Sequence, residues 1–170
     1  MDIRKKCLGI NLIELLIVLA IVAVLAKVAV PSFIDFLRVS QVTGATQTLY
    51  YTLQYARSEA IKRNATVYVV FQSGSSWCYG VNAGATCSCS TAGNCALGAV
   101  TAPNAKLTLS TTGLSGNQIT FEGTHGATYV NGPLLTFTVT GQTPALSIKI
   151  GSLGSLSICS STVSGYSVCT

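Results

Sequence analysis

Gly9-Ile10-Asn11-Leu12-Ile13-Glu14 leads into an unbroken apolar run from Leu15 to Ala26, followed by Lys27 and three more residues to Pro31. Before it stands a short basic leader, Met1-Asp2-Ile3-Arg4-Lys5-Lys6-Cys7-Leu8. From Ile10 to Pro31 there are 22 residues. At 1.5 Å per residue they reach roughly 30 Å as a helix, the thickness of a bilayer core. Arg4, Lys5 and Lys6 precede the span, so the positive-inside rule leaves the N-terminus in the cytoplasm and sends the rest out. Glu14 and Lys27 are its only charges. Lys27 lies near the outer end and can snorkel to the interface. Glu14 lies inside, where an ionised carboxylate costs roughly 3 kcal/mol on insertion scales, so it predicts a function and a partner.

Working outward, the helical period does not stop at Pro31. Val39, Val42, Leu49, Leu53, Ala56 and Ala60 recur at steps of three, four or seven, which keeps one face apolar as far as Asn64. Glu59 precedes Lys62 and Arg63 by three and four residues, a pairing expected on the solvent side. Pro31 predicts a kink and Gly44 a second soft point. One helix from Ile10 to Arg63 would be roughly 80 Å long, too long to bury in one small domain. Its first half therefore belongs in lipid or against other subunits.

After Asn64 the period becomes two. Residues 66–72 are β-branched and aromatic, and 77–81 follow as a hairpin partner across Ser73-Gly74-Ser75-Ser76. Residues 87–98 are too polar and cysteine-dense for an element. Further strands are predicted at 106–110, 118–122, 127–130, 134–140, 145–150 and 155–159, with a further candidate at 166–169. Turns are expected at Gly116-Asn117, Asn131-Gly132-Pro133, Gly141-Gln142 and residues 151–154. In 134–140, Leu135, Phe137 and Val139 alternate with Thr136, Thr138 and Thr140. The fold class is α+β: a long N-terminal helix, membrane-spanning in its first half, packed on an antiparallel β-sheet or β-sandwich head whose apolar face the helix covers.

Composition agrees. Of 170 residues only 9% are charged, against about 25% in ordinary soluble domains. The formal charge of +5 falls to +3 beyond Gly9, seven basic residues against four acidic, thinly spread. Nucleic-acid partners normally leave a clustered basic patch. Six of the seven cysteines lie in the head, an even number on the exported side, which reads as disulfides. Cys159 and Cys169 enclose nine residues and are expected to pair. Cys78, Cys87, Cys89 and Cys95 allow three connectivities; Cys87–Cys89 would be strained, so Cys78 is expected to bond into the loop. An oxidising compartment argues against the rival four-thiolate zinc site. Beyond the membrane helix the acids are Asp35, Glu59 and Glu122, and the sole histidine, His125, sits in a Gly-Thr-His-Gly turn. No nucleophile elbow or phosphate loop is present, so neither an enzyme nor a cofactor is expected.

The leader ending in Gly9, Leu12-Ile13-Glu14, the apolar run and Pro31 resemble the N-terminal signature of type IV pilins and pseudopilins. Ala56-Arg57-Ser58-Glu59-Ala60-Ile61-Lys62-Arg63-Asn64 before a β-branched strand, Ile119-Thr120-Phe121-Glu122-Gly123, and Gly154 before Leu156 and Ile158 are similar to the GspH/FimT/FimU group. The resemblance implies cleavage by a prepilin peptidase between Gly9 and Ile10, N-methylation at Ile10, Glu14 as the subunit-assembly carboxylate and Pro31 as the kink. Ile10 stands where the family usually has Phe. The implied layout is a leader over 1–9, a transmembrane and filament-core helix over 10–31, its second half over 32–64, and a periplasmic β head over 65–170.

The implied partners are other major and minor pilins or pseudopilins, the peptidase and the inner-membrane assembly platform. The implied work is a structural subunit of a type IV pilus or type II secretion pseudopilus, with a priming or tip role. Some FimT-like members carry a Gly-Arg-x-Arg stretch thought to bind DNA in natural transformation. Here Gly154-Ser155-Leu156-Ser157 lacks both arginines, which argues against DNA. An alternative outside the family is an exported β-rich binding protein with a Sec signal cut after Ala26.

Overall fold

A computed structural model describes residues 11–103, 105–128, 130, 132–139 and 143–169. Gly9 and Ile10, and with them the predicted cleavage and methylation, lie outside the described residues, as do Asn131 and the turn at Gly141-Gln142. The chain divides into two units, one ending at Leu37 and one beginning at Arg38. The helix α1, Leu12–Arg63, contributes to both and continues through Pro31.

In the first unit α1 carries an apolar window long enough to cross a membrane, none of it buried. In the second unit its apolar spacing is used as predicted: Val42, Leu49, Leu53, Ala56 and Ala60 are buried in one cluster with residues from the strands. Thr46 is buried on the same face and satisfies its hydroxyl on the Val42 carbonyl at 2.8 Å. The helix ends in a Schellman motif. Asn64 takes the left-handed conformation (φ 47°), its N–H bonds the Ile61 carbonyl, and the Ala65 N–H bonds Ala60. Gly123 packs on this cap, where a Cβ would collide with the backbone of Asn64 and Ala65.

Among the described residues eight strands follow: β1 Val67–Gln72, β2 Cys78–Ala83, β3 Ala99–Thr101, β4 Leu107–Thr112, β5 Gln118–Phe121, β6 Leu134–Val139, β7 Ala145–Ile150 and β8 Leu156–Cys159. They form two antiparallel sheets ordered β3-β2-β1-β5 and β4-β6-β7-β8. Alternation aligns apolar residues across the ladders. Val69 faces Val81 and Ile119 in one sheet, and Phe137 faces Leu109 and Leu146 in the other. These side chains join the helix in one core, so the head is built as predicted from α1 and an antiparallel sandwich.

Trp77 links the sheets. Its indole N–H donates to the Leu107 carbonyl at 2.9 Å, while its ring stacks on Tyr79 and meets Phe137 edge-on at 5.0 Å. The sequence reading missed β3, and residues 127–130 do not form the predicted strand as a whole: Thr128 makes a single bridge to Phe121, and Tyr129 lies outside the described residues. Similarly, the segment at 166–169 supplies one bridge, Ser167 to Cys159.

The predicted pairing of Glu59 with Lys62 and Arg63 forms, but the carboxylate itself is covered, being only 6% exposed. Arg63 reaches it at 2.6 Å and Lys62 at 3.2 Å from solvent, so the carboxylate rather than the cations is covered. Its hydrogen bond from Arg63, followed by that from Lys62, holds it below the usual carboxylate range. A lowered folded pKa gives stability that is present above the unfolded value, near 4.3, and is lost as pH falls through the lower folded value. Burial pushes the Tyr79 phenol up to about 12. The unfolded chain then releases that proton first, near pH 10, and stability falls as pH rises from there. Melting temperature against pH should therefore drop at both ends, and Glu59→Gln should flatten the acid limb while leaving the alkaline one.

Candidate assembly site

Glu14 stands in the first turn of α1. Asn11, just outside the helix, accepts the Glu14 N–H at 3.0 Å and the Leu15 N–H at 3.2 Å, and so starts the hydrogen-bond ladder. Asn suits a helix start, and an acid in the first turn faces the positive end of the helix dipole. Leu12, Ile13, Leu15 and Leu16 around it are exposed. Among the described residues Glu14 has no ion-pair partner. Lys27 is thirteen positions further on, about 20 Å along the helix, out of reach within one chain.

Pro31 lies on the same unit, inside α1. Its ring nitrogen carries no proton, so the Lys27 carbonyl loses its usual donor. Beside it Ala29, Val30, Ser32, Phe33 and Phe36 frame an open apolar recess, with Ser32 Oγ donating to the Ala29 carbonyl at 3.1 Å. Phe33 and Phe36 are exposed, as are the other apolar residues from Leu12 to Leu37. An apolar helix with one carboxylate near its start has the chemistry of a surface that must be covered by lipid or by like helices.

The head cysteines close three disulfides: Cys78–Cys89, Cys87–Cys95 and Cys159–Cys169. Spacing left the first four open; the fold selects the crossed pairing by laying the loop over β2, with Cys95 above Gly80, where a Cβ would strike its sulfur. No head cysteine is left as a thiolate for zinc. His125 is exposed on its turn, 3.8 Å from a Glu122 oxygen.

The Gly154 region is built around Arg57, which sequence reasoning did not single out. Gly126 and Gly154, both at positive φ, let two turns close on its side chain, and Arg57 Nη2 donates to the Leu153 carbonyl at 3.1 Å. The guanidinium nearest the place of the absent arginines thus pins a turn.

Taken together, a membrane-length apolar helix with a first-turn carboxylate, and a second unit in which the same helix packs on two antiparallel sheets, define a pilin-like protein. The chain belongs to the GspH family: the family model described as type II transport protein GspH matches residues 45–164. Two crystal forms of the type IV minor pilin FimU from Pseudomonas aeruginosa (strain PAO1) share the fold. One has a TM-score of 0.57 at 20% identity, over 73% of this chain and 92% of that one. The other has 0.54 at 20% identity, over 71% and 94%. No curated protein sequence matches the chain. The protein is thus a pilin-like protein of the GspH/FimT/FimU type, whose family are structural subunits that assemble with other pilins.

Proposed function

We propose that the chain is a minor subunit of a type IV pilus or type II secretion pseudopilus that primes assembly or sits at the tip. In this reading a prepilin peptidase removes residues 1–9 and methylates Ile10. Residues 10–31 cross the inner membrane and later enter the filament core, and residues 32–64 carry the helix on into the periplasmic head of 65–170. The assembly platform then draws the subunit from the membrane against other pilins.

The observation that carries the reading is the lone carboxylate of Glu14 on an uncovered apolar helix, without a partner among the described residues. Cleavage would create a positive α-amino group at Ile10, and the Glu14 of one subunit would pair with the Ile10 amine of its neighbour. In lipid, separating such a pair is costly, so the contact favours docked over dispersed subunits.

N-terminal sequencing and mass measurement of the protein purified from membranes tests the processing. The expected mature chain begins at Ile10 and carries an added methyl group. A chain beginning at Lys27 would mean a Sec signal cut after Ala26 and would remove the filament reading altogether.

A further inference from the structure

The two sheets of the head have four outer edges, and they are not treated alike. The edge of β5 is bridged by Thr128 on Phe121, that of β4 by Gly74 on Leu109, and that of β8 by Ser167 on Cys159. Gly74 and Leu109 exchange both backbone hydrogen bonds, and Ser160 N–H donates to Ser167. Among the described residues, nothing bridges the edge of β3.

The register says what that edge offers. β3 pairs Thr101 with Cys78, Val100 with Tyr79 and Ala99 with Gly80. One step beyond, the Ala102 N–H donates to the Trp77 carbonyl, and the Val81 N–H donates to the Gly98 carbonyl at the other end. Hydrogen-bonded pairs alternate along an antiparallel ladder, so Ala102 and Val100 face β2 with their backbone groups, while Gly98 turns its carbonyl to β2 and gives its N–H to the Cys95 carbonyl. Ala99 and Thr101 therefore turn their N–H and C=O outward, and both residues are exposed. Open edges are templates for another strand. This one is short and ends before Pro103, which limits uncontrolled association but still leaves two residues with complete donor–acceptor sets.

Beneath the edge, between β3 and α1, runs an apolar groove. One part, of about 430 Å³, is lined by Thr48, Tyr51, Tyr55 and Val100 among others. A second, of about 300 Å³, shares Thr48, Tyr79 and Val100 with it and continues toward Pro103. Among the described residues no charged side chain lines either part. An outward row of alternating N–H and C=O groups is matched by extended backbone, and a neutral apolar floor is matched by uncharged, β-branched side chains on one face of that backbone.

We propose that the β3 edge is a strand-addition site, which takes an extended, uncharged segment of a partner protein chain as a fifth strand of the β3-β2-β1-β5 sheet, hydrogen-bonded to Ala99 and Thr101 with one side chain set over the groove beside Val100. The inference concerns the head alone and stands whether or not Glu14 governs incorporation.

The test uses the full chain in detergent micelles and the peptide Lys-Thr-Val-Thr-Val-Thr-Lys, with ends blocked, as the probe. Binding is followed by the backbone amide signals and the hydrogen exchange of Ala99 and Thr101. The expected result is saturable binding near 1 mM or tighter, with both amides newly protected. Thr101→Pro removes an outward N–H without touching the ladder to β2, and it should weaken binding about tenfold, the equivalent of one good hydrogen bond. Unchanged signals from Val67, Val69 and Phe71 would establish that the variant is folded. The same peptide N-methylated at alternate residues should not bind. Equal binding of the N-methylated peptide would mean that the groove takes side chains without strand pairing, and would overturn the proposal. So would the absence of protection at Ala99 and Thr101, or of any binding at about 1 mM.

Discussion

Glu14→Ala is expected to leave the chain inserted in the membrane and processed at Gly9, yet to lower its amount in sheared filaments by about a hundredfold. The size follows from the proposed pairing. Removing one member of an ion pair in a low-dielectric setting costs about 3–5 kcal/mol, because the remaining charge, here the neighbour's Ile10 amine, stays without its counterion. At 1.4 kcal/mol per tenfold, the lower figure already gives a factor of about a hundred. Glu14→Gln keeps the shape and loses the charge, so it should behave like Ala. The check is the ratio of subunit in the filament fraction to subunit in membranes, measured alongside the mature N-terminus. Normal incorporation of a correctly processed Glu14→Ala chain would eliminate the carboxylate as the assembly contact. Loss of processing would instead place Glu14 in peptidase recognition.

Phe137→Ala is expected to destabilise the head by about 3–5 kcal/mol. Phe137 is fully buried in β6, faces Leu109 and Leu146 on its own sheet, and meets Trp77 edge-on from the other side of the core. Its removal leaves a cavity and also deletes an aromatic pair worth about 0.5–1.5 kcal/mol beyond area. Trp77 is the only tryptophan, so its fluorescence reports the altered contact directly during chemical denaturation in micelles. Leu153→Ala, at an exposed turn position, should change stability by less than about 0.5 kcal/mol and serves as the control. A Phe137→Ala chain as stable as this control would mean that the two sheets do not share one core.

Much of the architecture was legible because it rests on local periods. Steps of three, four and seven from Val42 to Ala60 are carried by one element, and each residue's face follows from its position on it. Alternation in 134–140 and 145–150 is equally local. The elements that escaped are short or depend on distant chain. Ala99-Val100-Thr101 is too brief to show a period, and it is a strand only because β2 lies beside it. Glu59 reads as a solvent residue from its spacing to Lys62 and Arg63. In the fold its carboxylate is nearly covered while Lys62 and Arg63 reach it from solvent, which the spacing alone does not show. The same holds for Arg57: its neighbours Gly126 and Gly154 are about seventy and a hundred residues away in sequence.

What the sequence determined by itself is the helix, its membrane-length apolar span, the lone carboxylate near its start and the presence of a disulfide-bonded antiparallel head. Each is written in the order of neighbouring side chains. The tertiary structure decided the pairings. β1 lies between β2, its hairpin partner, and β5, more than forty residues later. Cys78 bonds Cys89 while Cys87 bonds Cys95, and one sheet edge of the head is left without a bridge among the described residues. Pairing joins positions far apart along the chain, and which of several chemically equivalent partners meet is settled only when the shared core of both sheets and the helix closes.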